Sequence, residues 1–209
     1  MLELLEYRHA TIDGVEQNWM WPKADTVAWA NPIRDWVGPH KTNWLDNVPG
    51  RAVAVQAGGN CGLYPRLLAQ YFSRVYTFEP DPLNFMCLVN NCQRDNIVKI
   101  QSAVGKCNEL IHVNHLSETN VGMHTVSAGG TIPTMTIDSL ALEACDFIQL
   151  DVEGYEVNAL LGALGTIKRF HPVISVELGR GESPHSMLSS LGYQFIVRSE
   201  DDAIYKYKG

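Results

Sequence analysis

The chain has 209 residues, 45% of them hydrophobic, and 23 acidic against 16 basic side chains give a formal net charge of -7. That length suits one domain able to bury its own core, and an acidic balance without any Lys/Arg cluster excludes the electrostatic footprint of a nucleic-acid binder, favouring a small or neutral partner. The five cysteines (Cys61, Cys87, Cys92, Cys107, Cys145) are odd in number, scattered and without a CxxC pair, which indicates neither a disulfide framework nor a zinc site and fits a reducing compartment.

The opening MLELLEYRHATIDG lacks a basic segment leading into an apolar one, and no apolar run approaches the ~20 residues of a membrane span. A soluble cytoplasmic protein with no membrane partner is the expectation. Residues Met1 to Asn47 hold all five tryptophans (Trp19, Trp21, Trp29, Trp36, Trp44), with prolines at Pro22, Pro32 and Pro39. No helical or alternating period runs through them, so residues 1–50 read as an irregular arm or lid on a single domain of residues 1–209, whose cofactor-binding core is 51–209. The tryptophans either patch the outside of a sheet or a homo-oligomer contact, or cover an acceptor site by stacking on a sugar face.

From Arg51 the pattern changes to apolar runs alternating with amphipathic stretches. Candidate strands are Ala52–Gln56, Val75–Phe78, Val98–Ala103, Phe147–Asp151, Val173–Glu177, Gln194–Arg198 and Ala203–Tyr207; helical patterns cover Tyr64–Phe72, Pro82–Asp95, Tyr155–Arg169 and Ser183–Leu191. Such alternation predicts an α/β fold with a seven-stranded, mostly parallel sheet, and the short turn Ser199–Asp202 makes the last two strands an antiparallel hairpin. The segment Asn108–Thr136 interrupts the alternation and reads as loop and short strands over the binding edge.

Ligands of open α/β sheets bind outside the carboxyl ends of the strands. Strand one leads into the glycine bend of VAVQAGGNCGL; strand two ends at Glu79 in FEPDP, placed to accept hydrogen bonds from ribose hydroxyls; strand three ends at Ser102-Ala103, strand four at Asp151-Val152-Glu153-Gly154 and strand five at Glu177. Each acid taken singly could be a cap or a solvated turn residue, but their recurrence at one edge favours function. The glycines miss the dinucleotide spacing, since Gly58 is followed at the required offsets by Asn60 and Leu63, and no GK[ST] phosphate cradle exists. A cofactor with ribose and adenine but no phosphate remains: S-adenosylmethionine.

The strings VAVQAGGNCGLYP, YTFEPDPLNFMCLVNN, IQSAVG, TIDSL, FIQLDVEGYEVNALLGAL and HPVISVELG resemble the FkbM-type family of S-adenosylmethionine-dependent methyltransferases, in family order, from about Val53 to Tyr193. The resemblance implies a class I methyltransferase, Rossmann-like sheet and O-methylation of a sugar or other small-molecule hydroxyl. By position, Gly58, Asn60 and Gly62 match the loop holding the methionine end of the cofactor, Glu79 with Pro80 the ribose-gripping acid, Ser102 and Ala103 the adenine side, and Asp151, Glu153 and Gly154 the signature where cofactor and acceptor meet. Gln56 departs from the pattern: the family usually places an acid there to help hold the cofactor's ammonium, and an amide accepts a hydrogen bond without adding charge.

Methylating a hydroxyl needs in-line alignment and a general base. Asp151 and Glu153 are candidates by position, and His124, with His115 behind it, by intrinsic pKa. No metal is expected, because Asp151 and Glu153 lack a clear third ligand. A non-catalytic module of the same fold, using the tryptophan-rich arm for a partner, is the alternative.

Overall fold

A computed structural model describes residues 2–12, 15–29, 33–199 and 201–209, with side chains described for all of these except 15, 33–39 and 199. Met1, Pro32, Glu200 and the side chains of Trp36 and Pro39 therefore lie outside the described residues.

Most of the described residues among the first fifty are in regular elements rather than an irregular arm. Strands β1 (Leu5–Ile12) and β2 (Val15–Pro22) form an antiparallel hairpin, and helix α1 spans Ile33–Asn47. The helix buries His40 and Trp44, four apart on one stripe, and Val48 just after its end continues that stripe. Trp44 packs on Phe147 at 5.6 Å between ring centroids, and its indole N–H donates to Ser175 Oγ. Tertiary burial outweighs the poor helix propensity of Gly38 and Pro39 within α1.

The central layer follows: β3 (Val53–Ala57), α2 (Leu63–Leu68), β4 (Arg74–Phe78), α3 (Pro82–Asn91) and β5 (Ile97–Ile100). Asp81 caps α3 by accepting the amides of Leu83 and Asn84, and Pro82 needs no partner at the first helical position. The strand expected over Val98–Ala103 is divided, because β6 (Ala103–Val104) leaves the main sheet to pair with β9 (Ile132–Met135). With β7 (Leu110–His115) and β8 (His124–Ala128) these make a small second sheet in the order β6-β9-β7-β8.

A 3-10 turn at Ile137–Leu140 leads into β10 (Phe147–Leu150), α4 (Glu156–Leu161), α5 (Leu164–Phe170), β11 (Val173–Glu177), α6 (His185–Ser190), β12 (Tyr193–Ser199) and β13 (Asp202–Tyr207). The helix expected over Tyr155–Arg169 is broken at Gly162, where a Cβ would stand 2.0 Å from the Gly105 carbonyl oxygen. Only glycine fits against the Gly105 backbone at this junction.

The main sheet runs β12-β13-β11-β10-β3-β4-β5, with β11, β10, β3, β4 and β5 parallel and β13 antiparallel between β11 and the edge strand β12. The architecture is thus α/β with mixed sheets, rather than one clean parallel sheet. Two hydrophobic clusters cover its faces, one around Trp44, Phe72 and Phe147 and the other around Ile148, Ile174 and Leu160. Strand order reverses between β3 and β10, so the crevice beyond Ala57 and Leu150 is the switch point at which such sheets bind ligands. Among the described residues no helix is long and apolar enough to cross a membrane.

Candidate functional site

A cavity of about 210 Å³ opens at that switch point. Its floor is the turn after β3. The amides of Gly58 and Gly59 both donate to the Phe78 carbonyl at the end of β4, and Gly58 has φ +83° with the space for a Cβ filled by the Asp151 carbonyl oxygen, 1.8 Å away. Only glycine brings the β3 turn this close to the end of β10. Gly58, Gly59 and Asn60 line the cavity.

Glu79 follows β4 and is 5% exposed. Its two carboxylate oxygens accept from the Asn60 amide at 2.7 Å and the Asp81 amide at 2.8 Å. Those bonds favour the charged form, but burial dominates and pushes the carboxyl up to about 8. Pro80, Ser102 and Ala103 lie along the same wall. The Ser102 hydroxyl is committed to the Ala103 and Pro133 carbonyls, so it fixes the wall.

The opposite wall carries the acids beyond β10 and β11. Asp151, Glu153 and Glu177 place one carboxylate oxygen each within 4.8 Å of one another. Glu177 supplies the third carboxylate that the spacing of Asp151 and Glu153 alone does not reveal. Burial and then neighbouring carboxylates raise all three: Asp151 well above the carboxylate range, with Glu177 the leading neighbour; Glu153 to about 7, also against Glu177 and with Arg180 at 3.1 Å drawing it partly back; and Glu177 to about 7, against Glu156 and Asp202. Glu153 sits at φ +53°, a backbone region that non-glycine residues seldom occupy, directly before Gly154 at φ +99°. His124 lines the cavity from β8; burial lowers its pKa, Asp81 pulls it partly back up, and His115 adds a smaller lowering.

Two expected cofactor residues stand off the cavity. The Gln56 amide is fully buried and turned into the sheet: Oε1 accepts from Thr77, while Nε2 donates to the Ala57 and Gly58 carbonyls. Gly62 lies behind the wall as the N-cap of α2, against Cys92 Sγ. Both hold the turn's shape and neither lines the space. Residue type could not show this, because period two along β3 sends Ala54 and Gln56 to one face and Val55 and Ala57 to the other.

The roof contains residues that sequence reasoning did not single out. Asn60 and Asn84 both donate to the Val121 carbonyl, and the Val121 amide points at Asp25 Oδ1. Asp25 is fully buried and also accepts the Trp21 indole N–H and the amides of Ala28 and Trp29. Asp25 thereby ties the N-terminal segment to the segment around Val121 above the cavity, which Trp21 also lines. An acid in a Lys-Ala-Asp-Thr loop carries no signal of such a role.

The family described as the methyltransferase FkbM domain matches residues 60–195. Among solved structures, the methyltransferase FkbM from Methylobacillus flagellatus is similar with a TM-score of 0.58 at 22% identity, over 75% of this chain and 44% of that one. The Thermus thermophilus 16S rRNA N2 G1207 methyltransferase, solved with AdoMet and guanosine, is similar with a TM-score of 0.53 at 14% identity, over 99% of this chain and 51% of that one. The chain thus spans about half the length of these structures, and at such identities the likeness is one of fold. Comparison with curated proteins gives no significant match. With the family match covering most of the chain, and the glycine turn, Glu79 and the acidic strand ends gathered at one sheet edge, the chain belongs to the FkbM methyltransferase family.

Proposed function

We propose that the chain is an S-adenosylmethionine-dependent O-methyltransferase acting on a hydroxyl of a small molecule or sugar. The observation carrying this reading is Glu79: a buried carboxylate on the cavity wall, oriented by the Asn60 and Asp81 amides, with lone pairs left for two ribose hydroxyls. The Gly58 cradle fits a ligand pressed against backbone, and the Ser102-Ala103 wall fits the adenine side. The cofactor supplies an already activated methyl group, so this chain's part is to align an acceptor oxygen and take its proton.

Glu153, raised to about 7, is matched to proton transfer near neutrality. Asp151 holds its position at the junction of the two walls, and His124, kept neutral by burial, faces the same space. Carboxylates suit a hydroxyl acceptor because they accept its hydrogen bond before they take its proton. Trp19, Trp21 and Trp44 are buried in the chain's own core, which leaves them little surface for a partner and weighs against the non-catalytic module.

Adding S-adenosylmethionine should raise the thermal midpoint, and Glu79→Ala or the milder Glu79→Gln should abolish the shift. Absence of a shift at millimolar cofactor would overturn the reading. Asp151→Asn and Glu153→Gln should lose methyl transfer to hydroxyl acceptors, followed by S-adenosylhomocysteine release, while keeping the cofactor shift.

A further inference from the structure

A second group of ligand-type atoms gathers where the β7–β8 hairpin meets the start of α3. His115 closes β7, His124 opens β8, and the two are paired across the ladder with rings stacked at 4.3 Å and 15°. His115 Nε2 lies 2.8 Å from Asp81 Oδ2. One carboxylate oxygen of Asp81 and one ring nitrogen from each histidine all lie within 4.8 Å of one another.

The carboxylate is rigidly set. Asp81 is 3% exposed, and its Oδ1 is held at 2.9 Å by each of the Leu83 and Asn84 amides at the head of α3, leaving Oδ2 directed at the histidines. Outer hydrogen bonds of this kind orient metal-ligating carboxylates. The single hydrogen bond to Asp81 uses one nitrogen of one imidazole. The pairing of the two positions across the ladder brings the second imidazole onto the first, so a nitrogen of each ring stands near Oδ2.

We propose that Asp81, His115 and His124 form a binding site for a divalent transition cation of the zinc and cobalt class. Two imidazoles and one carboxylate suit such borderline ions, whereas magnesium and calcium favour all-oxygen shells. Three protein ligands leave a fourth position open, as in reactive rather than structural sites. Of the three, His124 also lines the cavity.

In a tetrahedral shell with bonds of ~2.1 Å, ligand atoms sit ~3.4 Å apart. The histidines therefore close by side-chain rotation, and His115 takes the tautomer that turns a bare ring nitrogen to the ion.

The test uses the full chain, freed of metal by chelation and titrated with Co²⁺ alone, so that its outcome is independent of cofactor binding. A Cys107→Ser background removes the exposed thiol. One equivalent should bind with a visible d–d absorption that Zn²⁺ displaces. His115→Gln and His124→Gln should each weaken binding by roughly tenfold or more, as should Asp81→Asn, which keeps an oxygen for the helix cap. His112→Gln, an exposed histidine on the same strand, should leave it unchanged. Circular dichroism verifies that each variant is folded, and His115, 57% exposed, is the variant least able to disturb the core. Absence of saturable one-equivalent binding, or equal affinity in folded His115 and His124 variants, would overturn the site.

Discussion

The Thr77 hydroxyl donates a 2.5 Å hydrogen bond to Gln56 Oε1 between residues in register on adjacent parallel strands. That bond, with the two that Gln56 Nε2 gives to the Ala57 and Gly58 carbonyls, turns the amide away from the ligand and into the support of the turn. Gln56→Asp would therefore remove two donors and place a carboxylate against two carbonyl oxygens. Urea denaturation should show a loss of about 3 kcal/mol, and titration calorimetry no gain in S-adenosylmethionine affinity. A tighter-binding Gln56→Asp variant would show that a side chain from this position reaches the cavity.

Asp25 accepts from Trp21, Ala28, Trp29 and Val121 with none of its own surface exposed. Asp25→Ala leaves those donors buried without an acceptor, at a cost of roughly 3 kcal/mol. Amide hydrogen exchange at Trp29 and Val121 should accelerate before the central strands respond, because the segment above the cavity loosens first. Uniform acceleration across β3 and β10 would contradict a local tie.

Glu177 is raised to about 7 by burial, then by Glu156 and Asp202. A carboxyl whose folded pKa exceeds its unfolded value of 4.5 contributes stability that is present below about pH 4.5 and lost as pH rises through 7. Asp151 and Glu153 act in the same direction. The urea midpoint should fall between pH 5 and pH 8, and Glu177→Gln should recover about 1–2 kcal/mol at pH 8 after allowance for solvent screening. The same substitution should change little at pH 5, where the wild-type group is already protonated.

Gly58 and Gly129 share a positive φ, +83° and +84°, but a Cβ at Gly58 would meet the Asp151 carbonyl oxygen at 1.8 Å whereas nothing lies within 4 Å of one at Gly129. Gly129→Ala should cost only the backbone term, about 1–2 kcal/mol. Gly58→Ala should cost ~4 kcal/mol or more, because β3 and β10 must also part. Thermal unfolding of the two variants side by side separates conformation from collision.

The central sheet was legible because its strands are short apolar runs closed by polar residues, so β3, β4, β10 and β11 and the acids after them could be placed from order alone. Glu79 was legible for the same reason: a carboxylate following the second strand has one edge to face. The N-terminal half-layer was not, since β1 alternates weakly and is largely exposed, and α1 contains Gly38 and Pro39. Asp13-Gly14, between the paired Ile12 and Val15, was the available hairpin signal. Gln56 shows a different limit. Its position at the end of β3 was read correctly, but the direction of its side chain depends on Thr77, a strand away. Glu177 and Asp25 likewise acquire meaning only from neighbours distant in sequence.

The segment above the cavity begins and ends at the two stacked histidines, for β7 closes with His115 and β8 opens with His124. A cation gripping both would fasten the two feet of that loop to one point on α3, and a loop with fixed ends loses conformational freedom. The span bearing Asn120, Val121 and Gly122 would then stand stiff over the cavity with metal bound and slacken without it. The exchange rate of a ligand beneath it would be set by a group that never touches that ligand.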